Sequence, residues 1–148
     1  KEVKMIGWCM SAMGQLFLAL GTMIFMKNLI KPFLFKLFFL LLLIQFSIFI
    51  FLMIHPTFSD FKIAQLAASS VLIGFIFPLF IIQFIKTKSK GSKLILFAII
   101  FALFPALVFN NQLSISNWFN YHDISHVLMS IYMILMYNGI RKLEFKIA

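Results

Sequence analysis

Long apolar runs separated by short polar turns dominate the pattern of this chain. Five runs stand out, at residues 5–26, 33–54, 63–85, 94–112 and 121–140. An α-helix needs about 20 apolar residues to cross the hydrocarbon core of a bilayer. Strands of a membrane barrel would alternate polar and apolar residues, and these runs show no such alternation. The pattern therefore predicts an all-α, polytopic transmembrane bundle with five visible spans, forming one domain over 1–148.

Proline and glycine mark where the predicted helices end or bend. His55-Pro56 closes the second run, because proline lacks a backbone donor and restrains the residue before it. Pro78 lies in the middle of the third run, so we expect a kink there. The fourth run also contains a proline, Pro105. Gly91, surrounded by four lysines, predicts a short polar turn between these two runs.

Composition indicates that lipid is the solvent of these helices. The 148 residues are 63% hydrophobic and only 11% charged, whereas soluble domains carry about a quarter charged residues. The net charge of +9 comes mainly from clusters between the runs, which argues against a nucleic-acid partner and favours membrane lipids, including anionic ones. Cys9 is the single cysteine, so an intrachain disulfide is excluded.

The basic residues alternate between the turns, and this alternation predicts the orientation. One group follows the first run (Lys27 and Lys31), a second lies within 86–93, and a third follows the fifth run (Arg141 and Lys142). The other two turns hold a single lysine between them. Cytoplasmic loops of membrane proteins are enriched in Lys and Arg. The chain is therefore predicted to be an integral, multi-pass membrane protein with its C-terminus in the cytoplasm.

All three histidines fall on the predicted outer side of the membrane. His122 and His126 are four residues apart, so they project from one side of a helix and can approach one metal ion. His55, at the end of the second span, is the expected third ligand. Zinc favours imidazole ligands, and an open fourth position would hold a water whose pKa is lowered to about 7. The sequence predicts a zinc site at this face.

Asp123 is the candidate catalytic residue beside this pair. Asp123, or Asp60 or Ser125 on the same predicted side of the membrane, could orient the ligands or relay protons. A structural explanation is also open, because an acid in the first turn of a helix interacts favourably with the helix dipole. The two histidines also have a structural explanation, because an imidazole side chain is stable at the interface between membrane and water. A b-type haem would need His55 as one ligand. His122 and His126 share one helix face and cannot bind the haem iron from opposite sides.

The segment Asn120-Tyr121-His122-Asp123-Ile124-Ser125-His126-Val127, followed by an apolar run that contains Gly139, resembles the last helix of the CREST superfamily. These seven-helix membrane proteins include alkaline ceramidases and progestin/adiponectin-type receptors. The resemblance implies a zinc ion held in part by the HxxxH pair, and hydrolysis of lipid amides or esters. The superfamily's Ser-xxx-His segment does not occur in the 148 residues. Because the chain begins at Lys1 rather than Met, we expect it upstream, on two further helices.

Small and polar residues inside the runs favour helix association in lipid, where packing and interhelical hydrogen bonds replace the hydrophobic effect. The small ones are Gly7, Ser11, Gly14 and Gly21 in the first run and Ala67, Ser70 and Gly74 in the third, and the polar ones are Gln15, Gln45, Gln83 and Asn138. Three functions stay open: a zinc-dependent hydrolase, a non-catalytic accessory subunit of a larger membrane complex, and a transporter.

Overall fold

The computed structural model describes residues 2–55 and 61–143, and every regular element within those ranges is helical. The elements are α1 (Glu2–Phe25), α2 (Pro32–Ile54), α3 (Phe61–Val71), a π-helical segment (Leu72–Ile76), α4 (Phe77–Thr87), α5 (Lys90–Phe101), α6 (Leu103–Asn110) and α7 (Tyr121–Arg141). α3 continues through the π-helical segment into α4, and α5 continues into α6 across a single residue. The described chain therefore forms five helical rods, one over each predicted run, and the all-α prediction is confirmed.

Three of the described rods are long and apolar enough to cross a membrane. They are Pro32–Ile54, Lys62–Thr87 and Lys90–Asn110, with mean hydropathies of 2.9, 2.2 and 2.4. The apolar stretch Ala12–Phe25 of α1 is shorter. Large apolar side chains are exposed along these rods, and a soluble monomer rarely exposes so much contiguous apolar surface. The fold is therefore compatible with a membrane protein, and five spans remain a prediction.

Both interior prolines disturb the helix one turn before them. Proline has no N–H, and its ring clashes with the carbonyl four residues earlier. Ahead of Pro78 the chain forms the π-helical segment, which ends where the Phe77 N–H donates to the carbonyl of Leu72, five residues back. Ahead of Pro105 the α-helix is interrupted at Ala102, between α5 and α6. The structure thus shows one widened turn ahead of Pro78, and the kink expected at this residue stays a prediction.

The turn predicted at Gly91 is wrong, because the fourth rod begins four residues before the predicted boundary of 94. Lys88 makes the reversal, with a positive φ of 52°, and Ser89 is the N-cap of α5. The Ser89 hydroxyl accepts the N–H of Gly91 at 3.2 Å, which satisfies one of the free donors at the helix start. Gly91 is therefore a helical residue, and it is buried.

The first compact unit, Lys1–Leu79, contains α1, α2, α3 and the π-helical segment. Its core is a cluster of Ala12, Phe49 and Met53, which are all buried. Ile63 and Ala67 of α3 pack against this cluster from one side. The three helices thus meet at a position where α1 contributes a small residue and α2 contributes large ones.

The second compact unit, Phe80–Ala148, places α7 antiparallel to α5 and α6. At one end the backbones of Gly91 and Gly139 come together, and a Cβ built on Gly139 would lie 3.3 Å from the Gly91 carbonyl oxygen. At the other end the rings of Phe109 and Tyr121 contact each other at a centroid distance of 5.5 Å. The basic residues 141–142 and the histidine pair therefore lie at opposite ends of this unit.

Candidate functional site

The predicted site residues of the second unit lie at the first turns of α7, which begins at a side-chain cap. Asn120 is the N-cap, and its Oδ1 accepts the N–H of His122 at 2.8 Å. Asp123 returns the contact, because its Oδ2 accepts the N–H of Asn120 at 3.0 Å. This reciprocal capping box satisfies two donors that the helix itself leaves free. The local sequence Asn-x-x-Asp therefore fixes where α7 begins.

Asp123 is thus engaged in the helix start, as its structural explanation anticipated. Its carboxylate is half-buried and faces the backbone of the residue that precedes the helix. Oδ2 is committed to the Asn120 N–H, and the negative charge also suits the positive end of the helix dipole. The catalytic role of Asp123 stays a prediction, and any such role would compete with the cap.

His122 and His126 are both exposed at this end of α7. The imidazole of His122 lies against Tyr121, with ring centroids 4.2 Å apart, and meets the ring of Phe109 edge-on at 5.3 Å. These two rings hold one side of His122. Four residues along an α-helix returns a side chain to the same face, so His126 is one turn further along on the same side.

His55 belongs to the first unit, where it ends α2. It is exposed, its N–H donates to the carbonyl of Phe51 at 3.2 Å, and its ring lies 6.4 Å from the ring of Phe51. Asp60, the other acid predicted on this side, lies outside the described residues.

Zinc sites in proteins take three or four side-chain ligands. Within residues 2–55 and 61–143, no three His, Cys, Asp or Glu side chains are grouped so that they could hold a metal ion. His122 and His126 offer two nitrogen ligands, and two do not make a zinc centre. The metal assignment of His55, His122 and His126 therefore stays a prediction that needs a further ligand.

Ser125 has a structural role between the two histidines. Its side chain is buried, and its hydroxyl donates to the carbonyl of Tyr121 at 2.5 Å. The same oxygen lies 3.4 Å from the carbonyl oxygen of Pro105 in α6. Because a hydroxyl has one hydrogen, these contacts direct the Ser125 proton to the backbone rather than toward either histidine. Ser125 instead seats the first turn of α7 against α6.

The loop between α6 and α7 carries two large apolar side chains outward. Ser114 Oγ accepts the Tyr121 N–H at 3.1 Å, and Ser116 Oγ accepts the Phe119 N–H at 3.0 Å. Between these ties, Ile115 is 78% exposed and Trp118 is 96% exposed. Tryptophan is enriched where a membrane meets water. The loop holds no charged residue, which suits a segment that rests at such a boundary.

A second polar site lies inside the first unit, where sequence analysis expected interhelical hydrogen bonds. Gln45 of α2 donates through Nε2 to the Ala67 carbonyl at 3.1 Å and to Ser70 Oγ at 2.5 Å. This confirms the prediction for Gln45. A cavity of about 20 Å³ lies beside it, lined in part by Gln15, whose buried Oε1 has no hydrogen-bond partner among the described residues. That volume is enough for about one water, which would satisfy the oxygen.

One group of functional candidates escaped sequence analysis. Lys90 and Lys93 of α5 and Arg141 and Lys142 at the end of α7 line one open groove, although about 50 residues separate the two pairs. The predicted topology already placed the segment 86–93 and the basic residues after the fifth run on the same side of the membrane. It could not show that α5 and α7 are neighbours.

Comparison with known proteins leaves the function unassigned. No curated protein and no solved structure matches the chain. Residues 1–144 do match the profile of a family of unknown function, DUF6962. The match covers almost the whole chain, and the protein therefore belongs to that family.

Proposed function

We propose that this chain is a multi-pass membrane protein that acts as a non-catalytic subunit of a larger membrane assembly. Its five rods would cross the bilayer, with the turn at 86–93 and the C-terminus in the cytoplasm. The rods Pro32–Ile54, Lys62–Thr87 and Lys90–Asn110 support this placement through both their length and their hydropathy. α7 has the length that the placement requires, because its 21 residues extend about 30 Å, which is the thickness of the hydrocarbon core. The two ends of α7 also differ in the way that the topology requires, with Arg141 at one end and an uncharged loop at the other.

The observation that carries the subunit proposal is an unused seam on α1. Gly7, Gly14 and Gly21 alternate along it with Met10, Phe17 and Ile24, at steps of three and four residues. All six are exposed, and Met10, Phe17 and Ile24 are 64%, 61% and 67% exposed. This is the heptad spacing of a helix that packs side by side with another helix. No described atom lies within 4 Å of a Cβ built on any of the three glycines, so the seam has room for a partner.

The occupant we propose is a transmembrane helix of another subunit. Small residues at every seventh position let two backbones approach, and large residues between them fill the remaining space. Lipid alone would gain little from this alternation, because acyl chains conform to any apolar surface.

Labelling tests the topology. The variants Lys88→Cys and Ser116→Cys, in a Cys9→Ser background, are treated in intact cells with a membrane-impermeant maleimide. We expect Ser116→Cys to react and Lys88→Cys to react only after the cells are opened. The reverse pattern would contradict the proposed orientation, and extraction of the chain by alkaline carbonate would contradict membrane insertion.

The mass of the purified particle tests the proposal that the chain is a subunit of a larger assembly. The full chain is extracted from its own membrane in a mild detergent, and the mass of the purified particle is measured by light scattering. We expect a complex that Gly14→Leu dissociates and Gly74→Leu leaves intact, because both glycines are open within the chain but only Gly14 lies on the seam. A wild-type particle with the mass of a single chain would refute the proposal.

A zinc-dependent, CREST-like hydrolase of lipid amides or esters is the second candidate. It is favoured by the exposed His122 and His126 on one face of α7, next to a loop that carries no charged residue. The described residues do not complete a zinc centre, so this candidate requires a ligand from outside them.

Elemental analysis separates the two candidates. The purified chain is assayed for zinc beside His122→Ala/His126→Ala, with Asn138→Ala as a control on the same helix. One zinc per chain that is lost only in the histidine variant would favour the hydrolase. Wild-type protein without zinc, after purification free of chelators, would eliminate it.

A further inference from the structure

We infer that the groove between the start of α5 and the end of α7 binds the phosphate headgroup of an anionic phospholipid. The groove has a volume of about 750 Å³, and it is lined by Lys90, Lys93, Leu94, Phe97, Arg141, Lys142 and Leu143. Four of these seven residues are cationic. This inference rests on the membrane placement proposed above.

The residues of α5 in the groove form one helical stripe. Lys90, Lys93, Leu94 and Phe97 follow each other at steps of three, one and three residues, so they lie on one side of the helix. The stripe is cationic at the helix start and becomes apolar further in, where Phe97 is 55% exposed. The change occurs over about one turn, or 5 Å. A phospholipid likewise has a charged phosphate at one end, followed by apolar acyl chains.

The apolar part of the stripe extends further along the rod. Phe97 lies 6.5 Å from Phe101 and Phe101 lies 5.6 Å from Phe104, as measured between ring centroids. From Phe97 to Phe104 the row covers about 10 Å along the axis. One leaflet of the hydrocarbon core is about 15 Å thick. An acyl chain of a lipid whose headgroup sits at Lys90 and Lys93 would therefore lie along this row.

The tight crossing of α5 and α7 holds the two cationic pairs together. Gly91 lies between the two lysines in sequence, and a Cβ built there would lie 2.6 Å from the Lys142 carbonyl carbon. The positive end of the α5 dipole also points toward this region. Positive charges from two helices thus line the same groove, and an anion bound between them would reduce their mutual repulsion. Guanidinium and ammonium groups bind phosphate oxygens through charge-assisted hydrogen bonds.

The neighbouring lysine of the same turn is used differently, and it provides a matched control. Lys88 lies over the ring of Phe84, 5.4 Å from its centroid, and it does not line the groove. Lys86 does not line the groove either. If attraction to the membrane surface were the only effect, any two of these lysines would contribute equally.

Lipid binding by the full chain in nanodiscs tests the site. The discs contain phosphatidylcholine with a small fraction of a fluorescent, headgroup-intact phosphatidylglycerol. A donor dye is attached to Ile140→Cys in a Cys9→Ser background, because Ile140 is exposed and lies beside Arg141 without lining the groove. Energy transfer from this dye to the lipid reports occupancy. We expect Lys93→Gln/Lys142→Gln to weaken phosphatidylglycerol binding about tenfold more than Lys86→Gln/Lys88→Gln does, although each variant removes two charges. Lys93→Arg/Lys142→Arg, which keeps the charges, should bind like the wild type.

Three results would overturn the inference: equal loss in the two glutamine variants, no preference of the wild type for phosphatidylglycerol over phosphatidylcholine, or displacement of the lipid by millimolar inorganic phosphate. The last would identify a soluble phosphate as the ligand. Failure of the membrane proposal is distinguishable, because the chain would then be released by alkaline carbonate before any lipid is measured.

Discussion

Glycines on α1 and glycines at the α5–α7 crossing have opposite surroundings. On α1, three glycines at seven-residue intervals are exposed and have open space where a side chain would be. At the crossing, Gly91 and Gly139 are buried, and backbone atoms of the facing helix lie where a side chain would begin. The repeated spacing of the first set made it the more conspicuous in the sequence. Among the described residues, however, the second set brings two helices together and the first set does not.

The first unit achieves its helix contacts by other means. α2 and α3 are joined through a side-chain amide, Gln45, that reaches the backbone of Ala67. Tight packing and interhelical hydrogen bonds are the two ways in which apolar helices associate in lipid, and the Gln45 contact is of the second kind whereas the Gly91–Gly139 contact is of the first. A substitution should lower the free energy of unfolding more at a close backbone contact than at an interhelical hydrogen bond. A clash with backbone atoms cannot relax easily, whereas an apolar side chain of similar volume can replace an amide. Unfolding in mixed micelles, followed by far-ultraviolet circular dichroism, measures that difference in the four variants that follow.

The largest effect is expected from Gly91→Ala. Its Cβ would lie 2.6 Å from the Leu143 nitrogen and from the Lys142 carbonyl carbon, so α7 must move. We expect a loss of about 3 kcal/mol in the free energy of unfolding, or failure to accumulate. Gly74→Ala is the control, since that glycine is open. Equal stability of the two variants would show that the crossing is looser than described.

Gly139→Ala should cost less, about 1–2 kcal/mol. Its Cβ would meet Ile95 Cγ1 at 2.5 Å, and a side chain can yield where a backbone cannot. The double variant Gly139→Ala/Ile95→Ala removes the clashing atom, so its loss should be smaller than the sum of the two single losses. Additive losses would mean that Ile95 does not limit the approach of α7.

Gln45→Leu tests the contact of the first unit. The variant loses the hydrogen bonds to Ala67 and Ser70 but keeps a similar volume, so we expect a loss of about 1 kcal/mol. Ser70→Ala should account for part of it, and the two changes should couple in a double-mutant cycle. No coupling would contradict the bridge between α2 and α3.

Gly14→Ala should have the smallest effect on the isolated chain, within about 0.5 kcal/mol, because nothing described lies near its Cβ. The better helix propensity of alanine acts in the stabilising direction. A loss comparable to that of Gly91→Ala would erase the contrast between the two glycine sets.

Several features of the fold follow from local sequence. The apolar runs predicted all five rods, because twenty apolar residues leave the backbone no alternative to internal hydrogen bonds in lipid. The disturbance before Pro78 follows from the missing donor of proline. The prediction that failed locally was the turn at Gly91, since Ser89 caps the helix two residues earlier and draws Gly91 into it.

The candidate site was predictable only in part. The shared face of His122 and His126 follows from helical periodicity. Because Asp123 lies at a predicted helix start, the sequence allowed either a catalytic or a structural role for it. The use of Asp123 as the partner of Asn120 was not predicted, although the spacing Asn-x-x-Asp ahead of an apolar run is that of a capping box. The position of a third ligand depends on distant segments, and the sequence offered only the predicted side of the membrane.

The sequence by itself determined that a helix forms over each apolar run and that these helices expose an apolar surface, because both properties depend on residues within a turn or two of each other. Only the tertiary structure decided that Gly91 meets Gly139, and that Lys93 and Lys142 line one groove. Such pairs lie some fifty residues apart, and no local preference selects them. They are set by which helix surfaces fit together closely enough for van der Waals contact.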